Sequence, residues 1–311
     1  MSILVVRAGL CSTVQDVGRL GYQHLGVPVN GPMDALAHGL ANLLVGNTLE
    51  CSSLEVTLQG PTLRFDSACL LAITGADLGA RLDGVPLPPG QAVRIEAGTV
   101  LDFGKRVHGA RAYLAVQGGY RVPAVLGSRS TFRRGGLGGV QGRELVAGDR
   151  LALASSFRNA PRVQIPAALQ VDPLSAGERP IRLLPGREWS AFSTEAQRAL
   201  VDSVYRIGND SERMGYRLAG APLTLLAPLE LLSEAVPFGT VQVPPSGQPI
   251  VLMADRQTTG GYPKIAHVAS VDLPLLAQRL PGDSVRFALI DLDQAQALAV
   301  RQARLLEAMQ G

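Results

Sequence analysis

The chain has 311 residues, of which 46% are hydrophobic and 18% charged, with a formal net charge of +3 at pH 7. This length suits two domains of about 150 residues each, and the apolar fraction is sufficient for a full core. No apolar run approaches the ~20 residues that a membrane helix needs, and no basic stretch is interleaved with aromatic residues. Neither a membrane nor a nucleic acid is therefore an expected partner.

The pattern along the chain is mostly β. The apolar run at residues 3–6 ends at Arg7, which is too short for a signal peptide and predicts a first strand in a cytoplasmic protein. Further short runs rich in Val, Ile, Leu and Ala predict strands at 68–73, 92–95, 112–116, 181–184, 250–253 and 285–290. With 35 Gly and 21 Pro available for tight turns, these strands are typical of a barrel or sandwich.

Helices are predicted at only four places. Residues 32–44 carry Pro in the first turn and an apolar stripe, and residues 194–201 open with a Thr194/Gln197 capping box. Asp272 can cap a short helix through residue 280. Residues 293–309 alternate apolar and charged side chains, which indicates a terminal amphipathic helix.

The stretch at 155–179 has little periodicity and several prolines, so it is interpreted as the junction between domains at 1–160 and 161–311. A short echo crosses this junction, because Arg19-Leu20-Gly21-Tyr22 resembles Arg213-Met214-Gly215-Tyr216. Two related β domains would explain it.

Several kinds of site are excluded by missing motifs. The sequence has no P-loop and no G-x-S-x-G elbow. Its three Cys show no C-x-x-C spacing, and its four His lack the spacing of a metal site. No bound metal is expected.

The densest polar segment follows the predicted strand at 250–253. Of the 29 basic residues only Lys105 and Lys264 are lysine, and Lys264 ends this segment. Glycines allow close backbone approach to a ligand, so the segment can bind an anionic or amide-bearing small molecule. The alternative is a hydrogen-bonded surface turn. The candidate residues are Asp255, Gln257, Thr258, Gly260, Gly261, Tyr262 and Lys264.

A second candidate, at residues 209–217, contains Ser211, Arg213 and Arg217. In a helix the two arginines would share a face and could clamp a carboxylate, although Gly215 favours a turn and a solvated loop is the alternative. Asp34 lies in the first turn of the first predicted helix, where free N–H groups favour an anion; an ordinary helix start is the other interpretation.

Two further segments carry weaker signals. Asp77 follows a strand and could act as a general base or as a cap. Residues 128–134 are rich in Ser and Arg and run into glycines, which is typical of a mobile basic loop able to meet phosphate or carboxylate. A solvated loop without a ligand is the alternative.

Taken in order, these segments resemble one family. The matching residues are Thr13-Val14-Gln15-Asp16 with Gly18-Arg19, Gly26-Val27-Pro28 leading to Met33-Asp34, Leu126-Gly127-Ser128-Arg129-Ser130-Thr131, Arg213 to Leu218, Gln242-Val243-Pro244-Pro245, and Ala254 to Ile265. The family is the biotin-dependent carboxyltransferase-like proteins. It includes the C subunit of 5-oxoprolinase, the KipA proteins and the carboxyltransferase part of urea amidolyase (allophanate hydrolase subunit 2-like).

The resemblance implies a mostly β fold of two cyclophilin-like β-barrel domains with a few short helices. It also implies a hydrolase component that opens 5-oxoproline to glutamate with ATP hydrolysis, working with a KipI-like B subunit as well as a separate A subunit. Because no nucleotide motif is present, ATP is expected at the level of the complex, bound either elsewhere in it or at a noncanonical site. One alternative is a biotin-dependent carboxyltransferase acting on a urea-like substrate, and another is a KipA-type regulator that antagonises a KipI-like kinase inhibitor.

Under the oxoprolinase hypothesis, ATP makes the lactam a better electrophile and water attacks it. Lys264 would then stabilise the charge on oxygen, helped by the backbone of Gly260 and Gly261. Arg213 would hold the substrate carboxylate, and Asp255 or Asp77 would accept or relay a proton. The remaining substrate contacts are expected from Asp34, Ser211, Gln257, Thr258 and Tyr262.

Overall fold

The computed structural model describes residues 1–154, 163–170 and 179–310. These residues form two compact units. One comprises 1–20, 30–154, 163–170 and 304–310, and the other comprises 21–29 and 179–303. The predicted domain boundary at residue 160 lies outside the described residues, as does most of the predicted junction at 155–179.

The first unit is built from two antiparallel sheets. A six-stranded sheet has the order β11-β1-β4-β9-β6-β7, and a five-stranded sheet has the order β2-β3-β10-β5-β8. The strands are β1 (Ser2–Arg7), β2 (Cys11–Gln15), β3 (Ser53–Thr57), β4 (Thr62–Phe65), β5 (Cys69–Asp77), β6 (Ala80–Leu82), β7 (Val85–Pro86), β8 (Ala92–Ile95), β9 (Val100–Phe103), β10 (His108–Val116) and β11 (Arg150–Ala152).

The core of the first unit joins these two sheets. Ile3 and Phe65 of the six-stranded sheet are packed with Leu54 and Leu71 of the five-stranded sheet, all four almost wholly buried. Alternation along each strand turns one set of side chains toward this core, as expected for two layers of sheet.

Helix α1 (Ala35–Leu44) covers the other face of the five-stranded sheet, where Ala41 and Leu44 are packed with Tyr113. The helix begins three residues later than predicted. Asp34 is extended, with φ −115° and ψ 91°, and its carboxylate accepts from the backbone N–H of Ala37. The predicted start at Pro32 is therefore wrong, because Asp34 stands before the helix as its N-cap.

The second unit is an eight-stranded sheet with the order β20-β13-β14-β17-β16-β19-β12-β21, joined by a two-stranded ribbon, β15-β18. The strands are β12 (Ile181–Pro185), β13 (Tyr205–Ile207), β14 (Gly215–Ala219), β15 (Glu234–Ala235), β16 (Thr240–Gln242), β17 (Ile250–Leu252), β18 (Thr259–Gly260), β19 (Lys264–Val268), β20 (Ser284–Val285) and β21 (Phe287–Leu289). Only Arg286 separates the two edge strands, β20 and β21. The large sheet must therefore curl until its edges nearly meet, which gives a nearly closed barrel.

The described residues form three further helices, α2 (Thr194–Asp202), α3 (Leu273–Ala277) and α4 (Leu292–Glu307). The Thr194/Gln197 capping box is wrong: Ser193 is the N-cap and accepts from Ala196 N–H, while Gln197 donates to the carbonyl oxygens of Trp189 and Phe192. Short 3-10 turns lie at Gln23–Leu25, Arg133–Gly135, Ala167–Leu169, Trp189–Ala191 and Ser270–Asp272.

The helix predicted at 272–280 is shorter than expected and ends at Ala277. Asp272 makes no capping bond; it accepts from the backbone N–H of Arg182 at 2.8 Å and from both Nε and Nη2 of its side chain. The carboxylate that was predicted to cap the helix is thus bound to strand β12.

The mostly β prediction with few short helices is confirmed. Every strand that was predicted from an apolar run overlaps an observed strand. The terminal amphipathic helix is confirmed as α4. Among the helices that the structure describes, none combines the length and apolar character required to cross a lipid bilayer.

Candidate functional site

A β-bulge between strands β16 and β19 sets the direction of two polar side chains. Val241 pairs with Ala266, but the next residue, Gln242, pairs with Lys264 and skips Ile265. Directly opposed residues of antiparallel strands share a face, so the extra residue turns Lys264 onto the face of Gln242. The bulge therefore brings an ammonium group and a carboxamide together.

The ammonium of Lys264 is buried among carboxylates, with only 4% of the residue exposed. Its Nζ lies 2.7 Å from Glu234 Oε1 and 3.6 Å from Glu188 Oε2. Glu188 Oε2 also accepts from the backbone N–H of Lys264, at 3.0 Å. Arg187 donates to the second oxygen of Glu234 at 2.9 Å, so two cations and two anions form one network.

Glu234 connects this network to solvent, because 37% of its side chain is exposed. The hydrogen bond and the charge of Lys264 hold the pKa of Glu234 below its ordinary value, and Arg187 adds to the effect. The carboxylate at the opening of the site is thus kept ionised.

The carboxamide of Gln242 is 2% exposed. Its Oε1 accepts from Gln257 Nε2 at 3.5 Å. Within the described residues its Nε2 is buried without a hydrogen-bond acceptor. Buried donors of this kind are rare in native structures, since leaving one unpaired is unfavourable.

The ribbon of β15 and β18 lies against this carboxamide. Glu234 is opposite Gly260, and the backbone N–H of Val236 donates to Thr258 O at 3.2 Å. A Cβ at Gly260 would stand 2.5 Å from Gln242 Nε2, so only glycine leaves room for the amide there. The ribbon therefore places Thr258, Gly260 and Glu234 around the polar pair of Lys264 and Gln242.

Gly261 and Tyr262 continue from this ribbon toward Lys264. A Cβ at Gly261 would be 3.3 Å from Ser233 Oγ, and Tyr262 is 49% exposed. The structure thus gathers the predicted segment at 257–264 in one place. The roles of its individual residues in binding substrate stay predictions.

His267 belongs to the same face and was not predicted from the sequence. Its Nδ1 lies 3.3 Å from Thr240 Oγ1. Burial lowers the pKa of His267, the charge of Glu188 raises it, and the charge of Lys264 lowers it. The imidazole therefore senses both members of the buried ion pair.

Arg213 and Asp255, two predicted site residues, are bonded to each other. Arg213 Nε donates to Asp255 Oδ2 at 3.0 Å, and Nη2 donates to Oδ1 at 2.8 Å. The backbone N–H of Asp255 also donates to Arg213 O at 2.8 Å. Within this chain the guanidinium already holds a carboxylate, and its predicted contact with a substrate carboxylate stays a prediction, as does proton relay by Asp255.

The arginine clamp that a helix at 209–217 would create does not form. The segment enters strand β14 at Gly215, and Arg217 pairs with Asp210 at 2.9 Å instead of sharing a carboxylate with Arg213. Ser211 Oγ accepts from the backbone N–H of Arg217 at 3.0 Å, which closes a local turn.

Asp34 and Asp77 lie in the first unit. Asp34 is the N-cap of α1, and its own N–H donates to Tyr113 Oη at 2.8 Å. Asp77 Oδ1 accepts from the backbone N–H of Gly79 at 2.8 Å. Both carboxylates support local structure. The predicted substrate contact of Asp34 and the predicted proton transfer by Asp77 stay predictions.

The expectation of a solvated loop at 128–134 is wrong for its serines, whereas Arg129, Arg133 and Arg134 are exposed and their predicted contact with phosphate or carboxylate stays a prediction. Ser128 and Ser130 are fully buried, and their hydroxyls donate to Asp16 Oδ1. Arg19, also fully buried, donates to Ser130 O at 2.7 Å. Burial would raise the pKa of Asp16, but the bonds from Ser128, Ser130 and the backbone N–H of Arg129 lower it below its ordinary value. The serines of this segment thus donate hydrogen bonds to a buried carboxylate.

Comparison with known proteins gives a consistent result. The model of the family described as carboxyltransferase domain, subdomain A and B, matches residues 25–289. The chain is 42% identical to the C subunit of 5-oxoprolinase from Escherichia coli (strain K12), over 97% of this chain and 96% of that protein. It is 40% identical to the C subunit of 5-oxoprolinase from Haemophilus influenzae, over 92% of this chain and 91% of that protein.

A solved structure also matches nearly the whole chain. The urea carboxylase of Kluyveromyces lactis aligns with a TM-score of 0.92 and 29% identity, over 99% of this chain. The match spans only 29% of that longer protein.

Proposed function

Since the chain belongs to the family of carboxyltransferase domains, subdomains A and B, we propose that it is the C subunit of an ATP-dependent 5-oxoprolinase. In this role it opens 5-oxo-L-proline to L-glutamate together with a KipI-like B subunit plus an A subunit. The proposal is supported by relatives of that name that match over 96% and 91% of their own length. It is carried structurally by the buried ammonium of Lys264.

Attack on a lactam places negative charge on its carbonyl oxygen. A fixed cation in a site that excludes water stabilises that charge strongly. Lys264 is such a cation, because its Nζ is sequestered and oriented by Glu234 at 2.7 Å and Glu188 at 3.6 Å. An ammonium with three donors can keep one carboxylate and still donate to an incoming oxygen. The same arrangement on the surface would be screened by water and would contribute little.

The triphosphate of ATP does not fit this site. Glu188 and Glu234 flank the only buried ammonium that the described residues provide, and their negative charges would repel phosphate oxygens. We therefore assign ATP binding to another part of the complex, and the role of this chain is to hold the cyclic amide.

A second function, carboxyl transfer from carboxybiotin to a urea-like substrate, is favoured by the structural match to urea carboxylase. The ureido group of biotin is also a five-membered cyclic amide, and charge develops on its oxygen when it releases the carboxyl group. Lys264 would stabilise that oxygen in the same way. The oxoprolinase proposal is preferred because the chain is 42% and 40% identical to the 5-oxoprolinase relatives but 29% identical to the urea carboxylase.

The test is reconstitution with the other two subunits, measuring glutamate release and ATP hydrolysis with 5-oxo-L-proline. Carboxyl transfer from carboxybiotin to urea is measured in parallel. Lys264→Met should reduce 5-oxoproline-dependent turnover at least ~10²-fold while partner binding survives. Lys105→Met, the change at the only other lysine, should leave turnover unchanged.

Three results would count against the proposal. If turnover is unchanged in Lys264→Met, the ammonium is not required for the reaction. Carboxyl transfer without glutamate release would favour the second function. Partner binding with neither activity would favour a regulatory protein of the KipA type.

A further inference from the structure

Gln242 is a buried amide whose nitrogen is not used by the described part of the fold. The residue is 2% exposed, and its Nε2 has no acceptor among the described residues. Protein interiors normally pair such donors, and those left unpaired mark sites of function or strain. An acceptor supplied by a ligand would satisfy it.

Two neighbours contact this carboxamide. Gln257 Nε2 donates to its Oε1, which leaves Nε2 as the end without a partner among the residues described. Gly260 packs directly against the amide, since a Cβ there would approach Nε2 to 2.5 Å. A donor that is held in place before a ligand arrives loses little entropy on binding.

The position of Gln242 relative to Lys264 identifies the class of ligand. The two residues are direct cross-strand partners, and such partners have Cβ atoms about 4.5–5.5 Å apart. A neutral N–H donor beside an ammonium suits one oxygen with two lone pairs and partial negative charge, namely the carbonyl of an amide or urea. The neighbouring carboxylate of Glu234 provides an acceptor for the ring N–H of the same ligand.

We propose that Gln242 is a substrate-binding residue whose Nε2 donates to the carbonyl oxygen of a five-membered cyclic amide. Lys264 donates to the same oxygen through its other lone pair. This inference rests on the proposed function and deepens it. Gln242 selects a carbonyl-bearing ring and holds its oxygen beside the ammonium. A ring of the same shape that presents a poorer acceptor should lose the contribution of Gln242.

The experiment uses the reconstituted complex and compares 5-oxo-L-proline with its thiolactam analogue, 5-thioxo-L-proline. The two substrates share charge and ring size, but sulfur is a weak hydrogen-bond acceptor. Gln242→Glu is nearly isosteric and removes the donor, and Gln242→Met removes the amide entirely. Gln248→Met is the matched control, because Gln248 lies in the same unit and its amide only bridges the backbone of Gly220.

Loss of a hydrogen bond of this kind should lower kcat/KM for 5-oxo-L-proline about tenfold or more in both Gln242 variants. The thioxo analogue should be affected much less, so that the oxo-over-thioxo preference falls toward one. Gln248→Met should keep the wild-type preference. A purely structural role for Gln242 would lower both substrates equally and leave the preference unchanged.

The outcomes separate this inference from the function on which it rests. If the wild-type complex releases glutamate and both Gln242 variants retain the full oxo-over-thioxo preference, the role of Gln242 is overturned and the proposed function stands. If the wild-type complex releases no glutamate, the proposed function fails and the assignment of Gln242 fails with it. Gln242→Glu is the control for folding, because its side chain has nearly the same shape. Its thermal unfolding is compared with that of the wild type.

Discussion

Arg213 and Asp255 face each other through two parallel hydrogen bonds, of 3.0 and 2.8 Å, in a buried part of the second unit. Each was expected from the sequence to act on a substrate, and within the chain each is bonded to the other. The pair joins the loop before β14 to the turn after β17, which is the turn that leads to the ribbon beside Lys264. Its main effect is therefore expected on the stability of the site.

Arg213→Met should destabilise the protein by about 3–5 kcal/mol, because it leaves the carboxylate of Asp255 buried without its cation. The double variant Arg213→Met with Asp255→Leu should recover much of that loss, since both charges are then removed. Denaturant unfolding of the two single variants and the double variant measures the coupling. Arg217→Met is the matched control: its pair with Asp210 is exposed on both sides and should contribute less than about 1 kcal/mol. Equal losses at Arg213 and Arg217 would contradict a structural role for the buried pair.

Asp16 should make the first unit sensitive to acid. Its bonds from Ser128, Arg129 and Ser130 lower its pKa from the ordinary 3.8, so in acid the unfolded chain binds a proton more readily than the folded chain. The stability that Asp16 contributes is therefore complete above pH 3.8 and is lost as the pH falls through its folded pKa. Unfolding midpoints of the wild type and Asp16→Asn, measured from pH 7 to pH 2, should converge at the acid end. A constant difference at every pH would show that ionisation of Asp16 does not matter.

The sequence predicted the strands with long apolar runs and marked Lys264 as a candidate site residue, and both predictions depended on local signals. The partners of Lys264 had no such signal. Glu188 lies in the connection after β12 and Glu234 begins the short strand β15, both far from Lys264 along the chain, and they reach it only because the sheet folds back. The bulge at Ile265 is equally invisible in the sequence, although it decides which face Lys264 occupies. Gln242 was within a recognised family segment, but the burial of its side-chain nitrogen is a property of packing.

The N-cap of helix α2 lies one residue before the position that the capping-box rule predicts. Ser193 and Thr194 are both good N-cap residues, and the capping-box pattern favours Thr194 because Gln197 stands three positions after it. The structure uses Ser193, whose Oγ accepts from Ala196 N–H at 3.1 Å. Ser193→Ala should therefore lower the free energy of unfolding by about 1 kcal/mol, whereas Thr194→Ala should change it little. Denaturant titrations of both variants decide between the two caps, and a larger loss at Thr194 would restore the original prediction.

Two glycines of the second unit should respond differently to a single added methyl group. A Cβ at Gly186 would collide with the backbone oxygen of Lys264, and backbone cannot easily move away. A Cβ at Gly260 would instead meet the flexible end of Gln242 at 2.5 Å. Gly186→Ala should therefore reduce stability by about 1–3 kcal/mol. Gly260→Ala should fold with a smaller loss but should displace the carboxamide and reproduce the effect of Gln242→Met on oxo-over-thioxo preference. Wild-type preference in a folded Gly260→Ala protein would contradict the packing of Gln242 against Gly260.

His267 offers a direct measure of the charges around Lys264, because the pKa of its imidazole is moved by neighbours of both signs. Burial and the charge of Lys264 hold this pKa below the ordinary 6.5, whereas the charge of Glu188 raises it. Lys264→Met should therefore raise the pKa of His267, and Glu188→Gln should lower it further. The imidazole resonances can be followed by NMR between pH 4 and pH 8, with His267→Asn used to assign the signal among the four histidines of the chain. Lys105→Met removes the same charge from the first unit and should leave the titration unchanged.

Shifts of the same sign in Lys264→Met and Glu188→Gln would mean that the ammonium and the carboxylate do not face the imidazole as the structure places them. The electrostatic role proposed for Lys264 would then lose its geometric basis.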